Sequence, residues 1–221
     1  MGGTSFSAWK PVEKLHEGAE ATAIAGFWMG RETVLKIRRA RGYRHPNLDQ
    51  MLTKQRLSAE VRSLVRLHSK AFPAPCLFDY DQKEAWVLIS RIEGEPLYEK
   101  LKRDSLQLKT LEDLGRLIRK LHELGISHGD LTTHNVISGK DSELSLIDFG
   151  LSRQSPELEH LGLDLQVLSE CLSASHSSMD DGMKSVLLGY LDNESSDGGT
   201  EYAKLVVERF QKISNRVRYH G

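Results

Sequence analysis

Apolar and polar positions alternate with a period close to two along the first part of the chain. ATAIAGFW (21–28) and TVLKI (33–37) are rich in β-formers or small residues, and MGRE (29–32) between them reads as a turn. Residues 7–38 are therefore expected to form short strands. A basic stretch, RRARGYRHPNLD (38–49), follows, and then the period changes. Leu52, Leu57, Val61, Leu64, Val65 and Leu67 recur at helical spacing, which predicts a helix over 50–71. FPAPCLFDYDQKEAWVLISRIEG (72–94) returns to strand character on both sides of a turn at Asp81–Lys83. Beyond it the pattern is mainly helical. TLEDLGRLIRKLHELG (110–125) carries an apolar stripe of Leu114, Leu117, Ile118, Leu121 and Leu124, with Thr110 as the expected N-cap and Gly125 as the stop. ELSLID (143–148) reads as a strand, helices are expected near 161–175, 179–192 and 200–216, and NESSDGG (193–199) is a loop. The change of character near Glu95 predicts an α+β chain in two lobes, 1–94 and 95–221, the second ending in a short basic tail.

Composition narrows the picture by exclusion. A chain of 221 residues, 39% hydrophobic and 28% charged, reads as a soluble globular protein. Its net charge of −1 supplies no global field toward nucleic acid or membrane, so any such contact must come from local patches. Cys76 and Cys171 stand far apart and are expected to be reduced, buried and apolar in role, as in a cytosolic protein. No apolar run approaches the ~20 residues of a membrane span. The first residues lack a signal layout, and Phe6 stands where a myristoylation pattern needs Ser or Thr. The expected location is cytoplasmic, extending to the nucleus in a eukaryote.

The chemistry concentrates in ISHGDLTTHNVIS (126–138) and LIDFG (146–150). Asp130 and Asn135 have Asp-x-x-x-x-Asn spacing, and Asp148, Phe149 and Gly150 follow shortly after. That pattern matches the catalytic loop and metal-binding triplet of protein kinases, with Gly129 where most kinases carry Arg. Phosphoryl transfer needs a cradle for the triphosphate, metals to offset charge, and a carboxylate to orient the nucleophile. Asp130 is placed to be that carboxylate, and Asn135 and Asp148 to hold Mg²⁺. Lys36 in VLKI is costly in an apolar strand unless its ammonium meets a partner, and the strand resembles the V-A-I-K motif. It is therefore expected to contact phosphate, paired with Glu60; Glu17 is the second choice. The phosphate loop would be HEGAEATAI (16–24), where Gly18, Ala19 and Glu20 are the expected contacts. With Gly18 as its one glycine and Glu20 repelling anions, the contact should be looser than in a G-x-G-x-x-G loop. The hinge falls in ISRIEG (89–94), where the backbones of Ser90 and Ile92 would meet adenine. His128 reads as structural, the other histidines lack zinc spacing, and Arg38, Arg39, Arg41 and Arg44 read as a solvated basic surface. SPE (155–157) comes too soon after Gly150 to close a peptide-docking segment; it reads as a turn with Pro156 at the first helical position.

Taken with RGYRHPNLDQMLTKQRLSAEVRSL, HGDLTTHN, IDFGLS and LDLQVLSECL, the chain resembles the small atypical kinase subunit of the KEOPS complex. That family includes the yeast bud-site-selection kinase and the human p53-regulating kinase and is distantly similar to the RIO kinases. The resemblance runs along nearly the whole chain. It implies a minimal two-lobe protein-kinase-like fold, ATP and Mg²⁺ as cofactors, and serine/threonine kinase or ATPase activity. Its implied partner is the KEOPS catalytic subunit, with tRNA reached through the complex in threonylcarbamoyladenosine modification. Carried onto this sequence, Lys36 and Glu60 form the ion pair, Asp130 is the catalytic aspartate, and Asn135 and Asp148 are metal ligands. Arg216 and Arg218 would be partner or tRNA contacts. Two alternatives stay open: a small-molecule phosphotransferase of the aminoglycoside or choline kinase type, and a pseudokinase-like scaffold.

Overall fold

The computed structural model describes residues 8–18, 21–39, 45–104, 107–177, 179, 181–192 and 200–218, with side chains through Arg216. Strands β1 (Trp9–Glu17), β2 (Ala21–Trp28), β3 (Arg31–Arg38), β4 (Leu77–Asp81) and β5 (Trp86–Ser90) form one antiparallel sheet in the order β1-β2-β3-β5-β4. The turn between β2 and β3 is shorter than the expected 29–32. Met29 and Gly30 alone make it, both at positive φ (50° and 78°), as a two-residue hairpin turn requires, so β3 starts at Arg31. One face of the sheet carries Leu35, Trp86 and Leu88 under Trp9, Trp28, Ile37 and Phe78. The other face sends Val34, Val87 and Ile89 into the main core. Because side chains alternate along a strand, Val34, Lys36 and Arg38 share that inner face.

Helix α1 (Pro46–Ser69) packs beneath the sheet and begins four residues before the predicted start. Pro46 fits the first turn, where its missing N–H costs nothing, and the His45 ring accepts from the Asn47 amide at 3.4 Å. Leu57, Glu60, Ser63, Leu64 and Leu67 make its buried stripe, whereas Val65, expected inside, is 56% exposed.

The rest is mainly helical, threaded by short strands: β6 (Glu95–Pro96), α2 (Leu97–Arg103), α3 (Leu108–Glu123), β7 (Ile126–Ser127), β8 (Val136–Ser138), β9 (Leu144–Leu146) and β10 (Arg153–Gln154). Helices α4 (Leu158–Ser175), α5 (Gly182–Leu191) and α6 (Thr200–Arg218) complete it. Three expected helix ends move. Gln107, not Thr110, caps α3; the Thr110 hydroxyl lies inside the first turn and donates to the Gln107 side chain at 2.9 Å. Glu157 caps α4, so Pro156 precedes the cap instead of opening the helix. Helix α6 runs to Arg218, which places Arg216 on an exposed helical turn and not in a tail. A single buried cluster joins α1 and β5 to α3, α4 and α6. Where α3 meets α5 the backbones touch: a Cβ on Gly189 would lie 1.8 Å from the Glu112 carbonyl oxygen. Both cysteines are free and only partly buried, which corrects the expectation of full burial. Among the described residues no helix is long and apolar enough to cross a membrane.

Candidate active site

The inner face of β3 meets α1 and the segment after β9. The Lys36 ammonium lies 3.0 Å from Glu60 Oε1 and 2.5 Å from Asp148 Oδ1, so one cation bridges two carboxylates from two elements. Glu60 is 1% exposed, and its second oxygen, Oε2, takes the Arg38 guanidinium at 2.5 Å. Arg38 is thus buried, not part of a solvated surface. Glu17, the second choice for Lys36, pairs instead with Lys14 and Arg39 outside the site. Arg39 is exposed, and Arg41 and Arg44 lie outside the described residues. Burial pushes the Asp148 carboxyl up, but the Lys36 charge and hydrogen bond outweigh it. With Arg38 and the Gly150 N–H they hold Asp148 down at about 2, so it is ionised at neutral pH.

The loop from His128 to Asn135 is held by hydrogen bonds between its own parts. The Asn135 amide nitrogen donates to the Asp130 carbonyl at 2.8 Å and to Asp130 Oδ2 at 3.1 Å, which turns its oxygen away from that pair. Pairing of Val136 with Leu146 in the β8–β9 hairpin, and the 3.0 Å bond from the Ile147 N–H to the Asn135 backbone carbonyl, set Asn135 beside the start of the Asp148 segment. His128 is fully buried. Its Nδ1 accepts from the Asp130 N–H at 3.3 Å, so Nε2 is the nitrogen that donates to the Ile147 carbonyl at 3.0 Å. A ring with both nitrogens committed orients the loop and leaves no lone pair for proton transfer.

Two further features shape this loop. Asp164 of α4 is 2% exposed and accepts from the His128 amide at 2.6 Å and the Gly129 amide at 2.8 Å. His122 Nε2 lies 3.2 Å from the same carboxylate, while its Nδ1 meets the Tyr190 hydroxyl at 2.8 Å. Burial drives the Tyr190 phenol far up, so it stays protonated and donates, which leaves the His122 Nε2–H for Asp164. An acid in the middle of LDLQVL was the available signal, since a buried carboxylate must find donors. The second feature is Gly129, at φ +79°, where a Cβ would lie 2.3 Å from the Leu151 carbonyl oxygen. An arginine, usual at this place in kinases, does not fit this backbone.

The remaining expected contacts are less complete. The Gly18 amide is spent on the Ala21 carbonyl at 3.0 Å, and Ala19 and Glu20 lie outside the described residues. Ser90 is tied to Cys76 twice, its N–H donating to the Cys76 carbonyl at 2.8 Å and its hydroxyl accepting from the Cys76 N–H at 2.8 Å. Ile92 lies partly exposed just beyond β5. Arg216 is exposed on α6, far along the chain from these groups, and the Arg218 side chain is outside the described residues.

Residues 17–168 match the profile of the lipopolysaccharide kinase (Kdo/WaaP) family. The chain is 35% identical over 191 residues to the KEOPS complex subunit Bud32 of Pyrococcus abyssi, covering 85% of this chain and 84% of that one. It is 30% identical to the EKC/KEOPS complex subunit bud32 of Dictyostelium discoideum, covering 92% and 82%. A probable bifunctional tRNA threonylcarbamoyladenosine biosynthesis protein of Methanothermobacter thermautotrophicus is 33% identical over 95% of this chain, which spans only 37% of that relative's length. The fold matches the Rio2 kinase of Chaetomium thermophilum, solved as an ADP/Mg²⁺–phosphoaspartate complex, with a TM-score of 0.61 at 16% identity over 95% of this chain and 72% of that one. The α+β, two-lobe kinase-like fold implied by the motifs is therefore the observed one. Similarity that extends along four-fifths of two separate Bud32 proteins makes this chain a member of the Bud32 family.

Proposed function

We propose that the chain is an ATP- and Mg²⁺-dependent serine/threonine kinase or ATPase, acting as the kinase-like subunit of a KEOPS-type complex in threonylcarbamoyladenosine modification of tRNA. The observation that carries this reading is Lys36 bridging Glu60 and Asp148 at 3.0 and 2.5 Å, beside an Asp130 already held by Asn135. A scaffold has no need to keep a cation, two acids and an amide in this arrangement.

The donor set fits a hard divalent cation. Asp148 is ionised and partly exposed, and Asn135 keeps its oxygen free of the Asp130 pair, so both offer the oxygen ligands that Mg²⁺ takes. Bound Mg·ATP would supply the transferable phosphoryl group and the charge that polarises it. Lys36 would leave Asp148 for phosphate oxygens. Asp130 would accept the hydrogen bond of the attacking hydroxyl or water and align it. The Ser90 carbonyl and the Ile92 backbone would meet adenine, with the lobes dividing after Gly94. Gly18 offers little to phosphate, since its amide is committed, so Lys36 and the metal ligands carry most of that contact.

The segment after Gly150 is short: β10 follows at Arg153 and α4 at Leu158, with no room for a peptide-docking platform. Efficient turnover would require a docked partner that supplies orientation. The KEOPS catalytic subunit is the proposed partner, the cytoplasm (and nucleus, in a eukaryote) the proposed location, and Arg216 and Arg218 the proposed contacts to acidic groups or tRNA phosphates. Such contacts weaken as salt rises. The decisive experiment measures Mg·ATP binding and turnover in the wild type and in Asp130→Asn. Binding retained with turnover cut about 10²–10⁴-fold is expected. Equal turnover in the two proteins, or none in either with the partner present, would favour the scaffold reading.

A further inference from the structure

Arg38 is the charged group the sequence pattern placed at the surface and the fold placed inside. Four charges meet here: the Lys36 and Arg38 cations, and the Glu60 and Asp148 carboxylates. Glu60 is buried, and each of its oxygens takes a different cation, Lys36 on Oε1 and Arg38 on Oε2. The guanidinium also lies against the turn after Asp148: a Cβ on Gly150 would come within 2.6 Å of Arg38 Nη2. Gly150 therefore admits the guanidinium. Its Nε is buried without a hydrogen-bond partner among the described residues.

We infer that Arg38 is a positioning residue of the phosphate site: it holds the buried Glu60 carboxylate so that Lys36 is released to phosphate. This rests on the ATP-binding reading above. A buried carboxylate with one cation must keep that cation, because losing it leaves an uncompensated charge away from water. With Arg38 on its other oxygen, Glu60 stays compensated when Lys36 turns toward an incoming anion. Arginine suits the task, being always charged and presenting several donors in a fixed fork. The arrangement also answers the poverty of the phosphate loop, in which the Gly18 amide is already bonded to the Ala21 carbonyl. Positive charge from Lys36 and Arg38 would stand in for the Gly18 amide.

A merely structural Arg38, pinning α1 to β3, would affect every ligand alike, whereas the positioning role is selective for phosphates. The test is calorimetric titration of wild type, Arg38→Gln and Arg38→Lys with adenosine and with Mg·ATP, alongside thermal melts without ligand. Arg38→Gln is expected to weaken Mg·ATP about tenfold or more while changing adenosine less than about twofold, the loss expected for one charge-assisted contact. Arg38→Lys should fall between wild type and Arg38→Gln, and it serves alone if Arg38→Gln does not fold. Because Arg38 acts through Glu60, adding Arg38→Gln to Glu60→Gln should cost less than about threefold more. Equal weakening of adenosine and Mg·ATP, or the same cost with and without Glu60, would overturn the inference while leaving the ATP-binding reading in place. A wild type that binds no Mg·ATP would overturn both.

Discussion

Replacing Asp164 by alanine tests how the catalytic loop is held, independently of any ligand. The carboxylate is 2% exposed and accepts two backbone N–H groups, from His128 at 2.6 Å and Gly129 at 2.8 Å. Among the described residues neither amide has another hydrogen-bond partner, and each buried donor left unpaired costs about 1–3 kcal/mol. Relief of the buried charge returns part of that, so a net loss of about 3–4 kcal/mol is expected, a large share of the roughly 5–15 kcal/mol that holds a domain together. At about 2–4 °C per kcal/mol for a chain of this size, the melting temperature should fall by about 6–16 °C. Asp164→Asn keeps one acceptor but turns an NH₂ toward the other N–H, and should lie between wild type and Asp164→Ala. Thermal melts give the global term, and native-state hydrogen exchange at the His128 and Gly129 amides gives the local one. Those two amides should exchange at least about 100-fold faster in Asp164→Ala. A melting shift below about 3 °C with both amides still protected would refute the claim that Asp164 anchors the loop.

Asp148→Ala should remove the Mg²⁺-dependent part of nucleotide affinity and leave adenosine affinity near wild type; titration with and without Mg²⁺ checks this. Gly129→Ala should destabilise the fold by about 1–3 kcal/mol, because the residue sits at positive φ and its Cβ would strike the Leu151 carbonyl, as a denaturant midpoint would register. His176 is 4% exposed, packs on Tyr98 and meets the Thr133 hydroxyl at 3.2 Å. Burial first, then the nearby His134 and Lys102 charges, lower its pKa from 6.5. The unfolded chain therefore takes up this proton at higher pH than the folded one, and stability should fall as pH drops below about 6.5. His176→Gln should flatten that decline between about pH 7 and 5, measured by urea midpoints across the range.

Much of this protein could be read along its own chain. Alternation over 21–28 and 33–37 and the 3.6-residue stripe of Leu114, Leu117, Ile118 and Leu121 are local consequences of which face is buried, so β2, β3 and α3 appear where the pattern puts them. The spacing of Asp130, Asn135 and Asp148 is also local, because the short β8–β9 hairpin converts a fixed sequence interval into a fixed separation in space. Helix ends were less legible: Thr110 and Pro156 looked like caps, but capping depends on backbone angles at Gln107 and Glu157 that residue types only bias. Arg38, Gly129 and Asp164 were decided by the tertiary fold. The period of two already put Arg38 on the same face as Lys36, yet whether that face meets water or Glu60 depends on a helix that begins beyond the strand and packs beneath it. Asp164 likewise finds its two amides 36 and 35 residues away in the chain. Periodicity tells a side chain which way to point, and only packing between distant segments decides what it meets there, whether solvent or a charge that must be matched.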